Sequence, residues 1–130
     1  MQNRILLIED RPGSFKQLGL ELGAKDIQVQ DAFGMEQGLP HVDSFLPSLI
    51  VLELGQPKGD GVADLERMAA LAATHQIPVI YTSVHASEEY RNRTRELGAA
   101  GFFEEPLELG YLMIVIQMSL AKAQGLAQLG

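Results

Sequence analysis

The stretch Leu49-Ile50-Val51-Leu52-Glu53-Leu54-Gly55-Gln56-Pro57-Lys58-Gly59-Asp60-Gly61 decides the fold. Four apolar residues run without interruption into one carboxylate, and a loop rich in glycine and proline follows. An apolar run bounded in this way reads as a strand buried on both faces, as in a parallel sheet. Glu53 then stands at the C-terminal end of that strand.

Four more short apolar runs flank it: Ile5-Leu6-Leu7-Ile8, Ile27-Gln28-Val29, Val79-Ile80-Tyr81 and Gly101-Phe102-Phe103. Helical patterns lie between them. Phe15, Leu18, Leu20 and Leu22 mark one helix, and Val62, Leu65, Met68, Ala69 and Leu71 mark another. A third opens near Ser87-Glu88-Glu89 and closes at Leu97-Gly98, where glycine suits a C-cap. A further helix runs from Leu107 through Leu120. The segment between the second and third strands contains Gly34, Gly38 and Pro40, which predicts a short or irregular helix.

Strands alternating with helices predict right-handed crossovers and an α/β fold: a doubly wound, five-stranded parallel sheet in the order 2-1-3-4-5 with helices on both faces. Ligands of such sheets bind at the carboxyl ends of the strands beside the topological switch, here between the first and third strands. Those ends carry Glu9-Asp10 and Glu53, with Thr82-Ser83 and Glu104-Glu105-Pro106 on the neighbouring strands.

Composition narrows the function. The 130 residues suit one domain with a core, read as 1–124, with 125–130 as a flexible tail or the start of a linker. The apolar runs are too short for a membrane span or a signal peptide, and cysteine is absent, which places the protein in the cytoplasm and excludes thiolate sites. A net charge of −7 without a basic cluster argues against direct nucleic-acid binding.

The residues at the strand ends resemble the receiver domain of two-component response regulators, a flavodoxin-like fold, over Ile5 to about Lys122. Ile-Leu-Leu-Ile-Glu9-Asp10 matches the family's first strand and acidic pair. Glu53 with Pro57 and Asp60-Gly61 matches the phosphoacceptor loop. Ile77 through Ser83 matches the fourth strand, and Gly98 through Phe103 the fifth. The resemblance implies a non-enzymatic module of phosphorelay signal transduction, with Glu53 at the phosphoacceptor position and Ser83 and Phe102 at the switch positions. It implies a histidine kinase or an attached output domain as partners.

Two departures alter that expectation. The family's phosphoacceptor aspartate is Glu53 here, and its lysine is Glu105. Phosphoryl transfer needs a carboxylate nucleophile, a magnesium ion to neutralise the transferring oxygens and a lysine clamp. A displacement of about 1 Å can cost ~100-fold in rate, and a like charge at 4 Å costs ~4 kcal/mol at intermediate dielectric. The expectation is a degenerate receiver that acts as a phosphorylation-independent interaction or dimerisation module.

Alternatives remain. Glu53 can imitate a phosphorylated aspartate if it has an attractive partner. The domain can also be a functioning phosphoacceptor. Glu9, Asp10 and Glu53, with Glu105 completing the acidic pocket, can hold Mg or Ca. A small cofactor-binding protein of flavodoxin type is disfavoured, because no glycine-rich loop follows the first strand. Glu105 itself reads more readily as a solvent-facing side chain than as a participant, and Lys58 as a solvated loop lysine. The stretch Leu112 to Leu120 is apolar on more than one face, which points to a protein partner or a homodimer on the face made by helix 4, strand 5 and helix 5.

Overall fold

The computed structural model describes residues 2–129, with side chains through residue 125. Its elements, in chain order, are β1 (Arg4–Glu9), α1 (Lys16–Ala24), β2 (Gln28–Phe33), α2 (Gly34–Phe45), β3 (Leu49–Glu53), α3 (Val62–His75), β4 (Val79–Ser83), α4 (Glu88–Glu96), β5 (Gly101–Glu104) and α5 (Leu109–Leu129). The five strands form one parallel sheet in the order β2-β1-β3-β4-β5, as the alternation of strands and helices predicts.

Side chains alternate across the sheet, so each central strand feeds two cores. Leu6, Ile8, Ile50, Leu52 and Tyr81 pack with Met35, Val42, Leu65, Met68 and Tyr90 from α2, α3 and α4. Ile5, Leu7, Leu49, Val51 and Ile80 pack on the opposite face with Phe15, Leu18, Leu22, Leu112 and Ile116. All five residues of β3 are buried. Each large apolar side chain so buried contributes about 1.5–3 kcal/mol, which holds the β3 carboxyl end rigidly in the middle of the sheet edge.

The glycine- and proline-bearing segment is a regular helix of 12 residues, not a short or irregular one. Gly34 has a positive φ of 78° and turns the chain out of β2. Gly38 is buried against Ile8, and a Cβ there would run into the Ile8 side chain. Pro40 lies on the exposed face, so the carbonyl it leaves unpaired is not trapped in the core. Leu20 also departs from expectation: it is exposed, because α1 presents only Leu18 and Leu22 to the sheet.

Helix α5 runs through Leu129, so the segment set apart at 125–130 begins inside a helix, and residue 130 lies outside the described residues. Among the described residues no helix is long and apolar enough to cross a membrane.

Candidate functional site: an arginine-bridged acidic pocket

The sheet register sets the site. Ile8 pairs with Leu52 and Glu53 with Thr82, so the ends of β1, β3 and β4 stand side by side. Glu53 is buried, at 4 % exposure, and extends toward β1. Its Oε1 accepts the backbone N–H groups of Asp10 (2.8 Å) and Arg11 (3.0 Å). Its Oε2 accepts from the Arg11 guanidinium, at 3.4 Å from Nε and 3.2 Å from Nη2. Glutamate's extra methylene supplies the reach for this crossing between strands.

Arg11 also holds Glu105, whose Oε1 lies 3.0 Å from Nη2. The other oxygen of Glu105 accepts the Thr82 hydroxyl at 3.1 Å. The expectation of a solvent-facing Glu105 is therefore corrected: its side chain is buried, and it faces Glu53 rather than water. Burial draws it in only because a guanidinium and a hydroxyl satisfy its oxygens.

The two carboxyls are unequal. Burial, with the hydrogen bond and negative charge of Glu53, pushes Glu105 up to about 7. Burial also pushes Glu53 up, but the neighbouring Glu105 carboxyl and the hydrogen bonds from the N–H groups of Arg11 and Asp10 outweigh it, and Glu53 ends below the usual carboxylate value. The two carboxyls are therefore split, with the proton held more firmly on Glu105 than on Glu53. Such splitting is what two adjacent carboxyls do when one is better solvated by hydrogen bonds.

The remaining acids turn elsewhere. Glu9 accepts the N–H groups of Gly13 (2.8 Å) and Phe15 (3.2 Å), closing the loop into α1. Asp10 is exposed, beside Gly55. The Gly55 carbonyl accepts the Tyr90 hydroxyl at 2.6 Å. Among the described residues no three acidic or histidine side chains converge as a group that could hold a metal ion. The proposed set of Glu9, Asp10 and Glu53 does not fit a divalent cation: Glu9 is turned onto backbone amides and Glu53 onto a guanidinium.

Among the described residues, the side chains of Ser83 and Phe102, the residues expected at the switch positions, make no hydrogen bond to this cluster, although the Ser83 carbonyl accepts the Glu105 N–H at 2.8 Å. Ser83 is fully buried, donates to the Leu54 carbonyl at 2.9 Å and accepts from the His85 N–H at 2.9 Å. Phe102 is half-buried and packs against Tyr90 with ring centroids 5.9 Å apart. Lys58 stays exposed in the loop after Glu53. Sequence reasoning placed Thr82 at this edge without giving it a role, and it missed Arg11 and Tyr90. Arg11 carried a signal, since it is the cation next to Glu9-Asp10 at an edge with surplus negative charge. Tyr90 carried none, because its partners are backbone groups far along the chain.

On α5 the apolar excess resolves into two stripes. Leu112, Met113, Ile116 and Leu120 are buried in the core, while Tyr111, Ile114 and Met118 are 59, 54 and 66 % exposed. The exposed stripe borders a groove also lined by Ile77, Pro78 and Ala100.

Known proteins share this architecture. The chain is 26 % identical over 118 residues to the KDP operon transcriptional regulatory protein KdpE of Escherichia coli, covering 91 % of this chain and 51 % of that protein. It is 25 % identical over 114 residues to the response regulator protein GraR of Staphylococcus aureus, covering 88 % and 50 % respectively. The chain thus spans about half the length of these curated relatives. The solved non-phosphorylated HemR receiver domain of Leptospira biflexa is 27 % identical, with a TM-score of 0.78 over 92 % of this chain and 94 % of that one. A CheY-like receiver domain protein of Methanospirillum hungatei superposes with a TM-score of 0.84 at 20 % identity over 96 % of this chain and 98 % of that one. The response regulator receiver domain matches residues 5–117, and the chain belongs to that family.

Proposed function

We propose that this receiver is a degenerate one, working as a protein-interaction module without a phosphotransfer cycle. The observation that carries the reading is the engagement of Glu53. A nucleophilic carboxylate needs an oxygen free to approach phosphorus, and here one oxygen takes two backbone N–H groups and the other a guanidinium. The position that carries a lysine in the family carries Glu105, whose two oxygens accept from the Arg11 guanidinium and the Thr82 hydroxyl instead.

Phosphomimicry finds an attractive partner in Arg11, but the attraction points toward β1. The Ser83 hydroxyl, which would have to meet the imitating anion, is directed at the Leu54 carbonyl. Output in this reading runs through the α4-β5-α5 face, where Tyr111, Ile114 and Met118 are exposed. A histidine kinase, an attached output domain and a second copy are the partner classes.

The test is an intact mass after incubation with acetyl phosphate and magnesium. The expected result is an unchanged mass. A labile phosphate adduct that disappears in Glu53→Gln would sink the reading. Solution molecular weight of the wild type and Ile114→Glu then asks whether the exposed stripe mediates self-association.

A further inference from the structure

The family's chemistry calls for a divalent cation at the carboxyl ends of β1 and β3, and the residues here do not offer one a place. A cation is nevertheless present. The Arg11 guanidinium lies 3.2 Å from the Glu53 carboxylate and 3.0 Å from Glu105. Its own backbone N–H donates to the same Glu53 side chain at 3.0 Å. Arg11 is thus fixed to the site at two points, main chain and side chain.

We propose that Arg11 is a built-in cation of the pocket, a guanidinium held where a divalent ion would otherwise neutralise the acids, and that it makes the pocket refractory to divalent cations. Three features support this. One guanidinium nitrogen, Nη2, meets both carboxyls, and Nε adds a second contact to Glu53, an arrangement that a single ammonium reproduces poorly. Tethering beside Asp10 removes the association cost that a free ion faces. A divalent ion entering the pocket would meet a positive charge already in contact with both acids, and repulsion scales with the product of the charges.

The inference concerns the same pocket as the proposed function but has its own readout. Free Mn²⁺ is followed by its electron paramagnetic resonance signal during titration into the full chain, for wild type, Arg11→Ala and Arg11→Gln, at constant ionic strength. The expected result is no saturable loss of signal with wild type. Either variant should show a single saturable site that disappears when Glu53→Gln is added. Thermal unfolding in parallel should show a divalent-dependent rise in Tm for the variants and none for wild type, because a ligand of the native state alone stabilises it.

A saturable Mn²⁺ site in the wild type overturns the proposal, whatever the variants do. So does a folded Arg11→Ala or Arg11→Gln that takes up no Mn²⁺. Arg11→Lys distinguishes charge from shape: it should keep Mn²⁺ out, and uptake equal to that of Arg11→Ala would overturn the role of the charge. A phosphate adduct on a wild type that binds no Mn²⁺ would sink the phosphorylation-independent reading and leave this one standing.

Discussion

The guanidinium of Arg11 lies 3.0 Å from the carboxyl of Glu105, 94 residues along the chain. This contact joins the loop after β1 to the loop after β5 across the end of β3, and Glu53 lies in the middle. On the proposed reading Glu105 stands where the family resemblance places a lysine, and Arg11 supplies a cation from the opposite side of the pocket. The guanidinium therefore faces the two acids from the β1 side.

Removing the cation should cost stability. Breaking a buried ion pair costs ~3–5 kcal/mol, whereas exposed pairs are worth ~0–1 kcal/mol. Arg11 is 54 % exposed and its partners are buried, so Arg11→Ala should lose about 1–3 kcal/mol in urea unfolding. In a Glu105→Gln background the loss should shrink, since the neutral amide needs no counterion. Additive losses would show that Arg11 and Glu105 act independently.

Stability should fall as pH rises through neutrality. Glu105 titrates in the folded state at about 7, above its ordinary 4.5. Its favourable contribution is therefore complete below the ordinary value and is lost as pH rises through about 7. Glu53 is shifted the other way, so its support is present above the ordinary value and lost as pH falls through its lowered one. At ~1.4 kcal/mol per unit, the Glu105 contribution is on the order of 1–3 kcal/mol. Denaturation midpoints at about pH 5 and about pH 8 should differ in this sense for wild type and converge for Glu105→Gln.

Glu53→Asp, which installs the residue that the family resemblance places here, should destabilise the fold. The shorter side chain withdraws from the N–H groups of Asp10 and Arg11, which now lie 2.8 and 3.0 Å from Oε1. Leaving such partly buried donors unmet costs about 1–3 kcal/mol. An unchanged urea midpoint would mean that backbone at β1 moves to follow the shorter acid.

Gly61 and Tyr90 should be strongly coupled. A Cβ on Gly61 would collide with the Tyr90 hydroxyl and ring and approach the Gln56 carbonyl within 2.8 Å. Gly61→Ala should cost about 1–3 kcal/mol by overpacking, and Tyr90→Phe about 1 kcal/mol through the lost bond to Gly55. The double variant should be more stable than the sum of the two losses, read from a double-mutant cycle in urea.

The two stripes of α5 should separate in stability. Ile116 is fully buried and Ile114 is 54 % exposed. Ile116→Ala should cost ~2–5 kcal/mol, and Ile114→Glu should stay within about 0.5 kcal/mol. Equal thermal shifts in the monomer would contradict this division of the helix.

Much of this was legible in the chain. Apolar runs such as Leu49–Leu52 and Ile5–Ile8 mark central parallel strands because only residues buried on both faces lack polar alternation. Strand order then brings Glu9, Asp10, Glu53, Ser83 and Glu105 to one edge. The α2 segment misled because Gly34, Gly38 and Pro40 read as helix breakers by propensity. In the fold, Gly38 is what lets α2 approach Ile8, and Pro40 sits where its missing N–H harms nothing.

What the amino-acid sequence determined by itself is the order of the sheet and the identity of the edge, which follow from periodicity and residue type and are local. That Glu53 and Glu105 stand where a receiver carries an aspartate and a lysine is what the family resemblance implies. Only the tertiary structure decided where the charges go. Whether Glu105 faces water or Glu53, whether Glu9 faces a cation or the amides of Gly13 and Phe15, and whether Arg11 reaches both acids depend on distances of about 3 Å between residues far apart in the chain. Hydrogen bonding and burial act at that range, and residue order alone does not encode it.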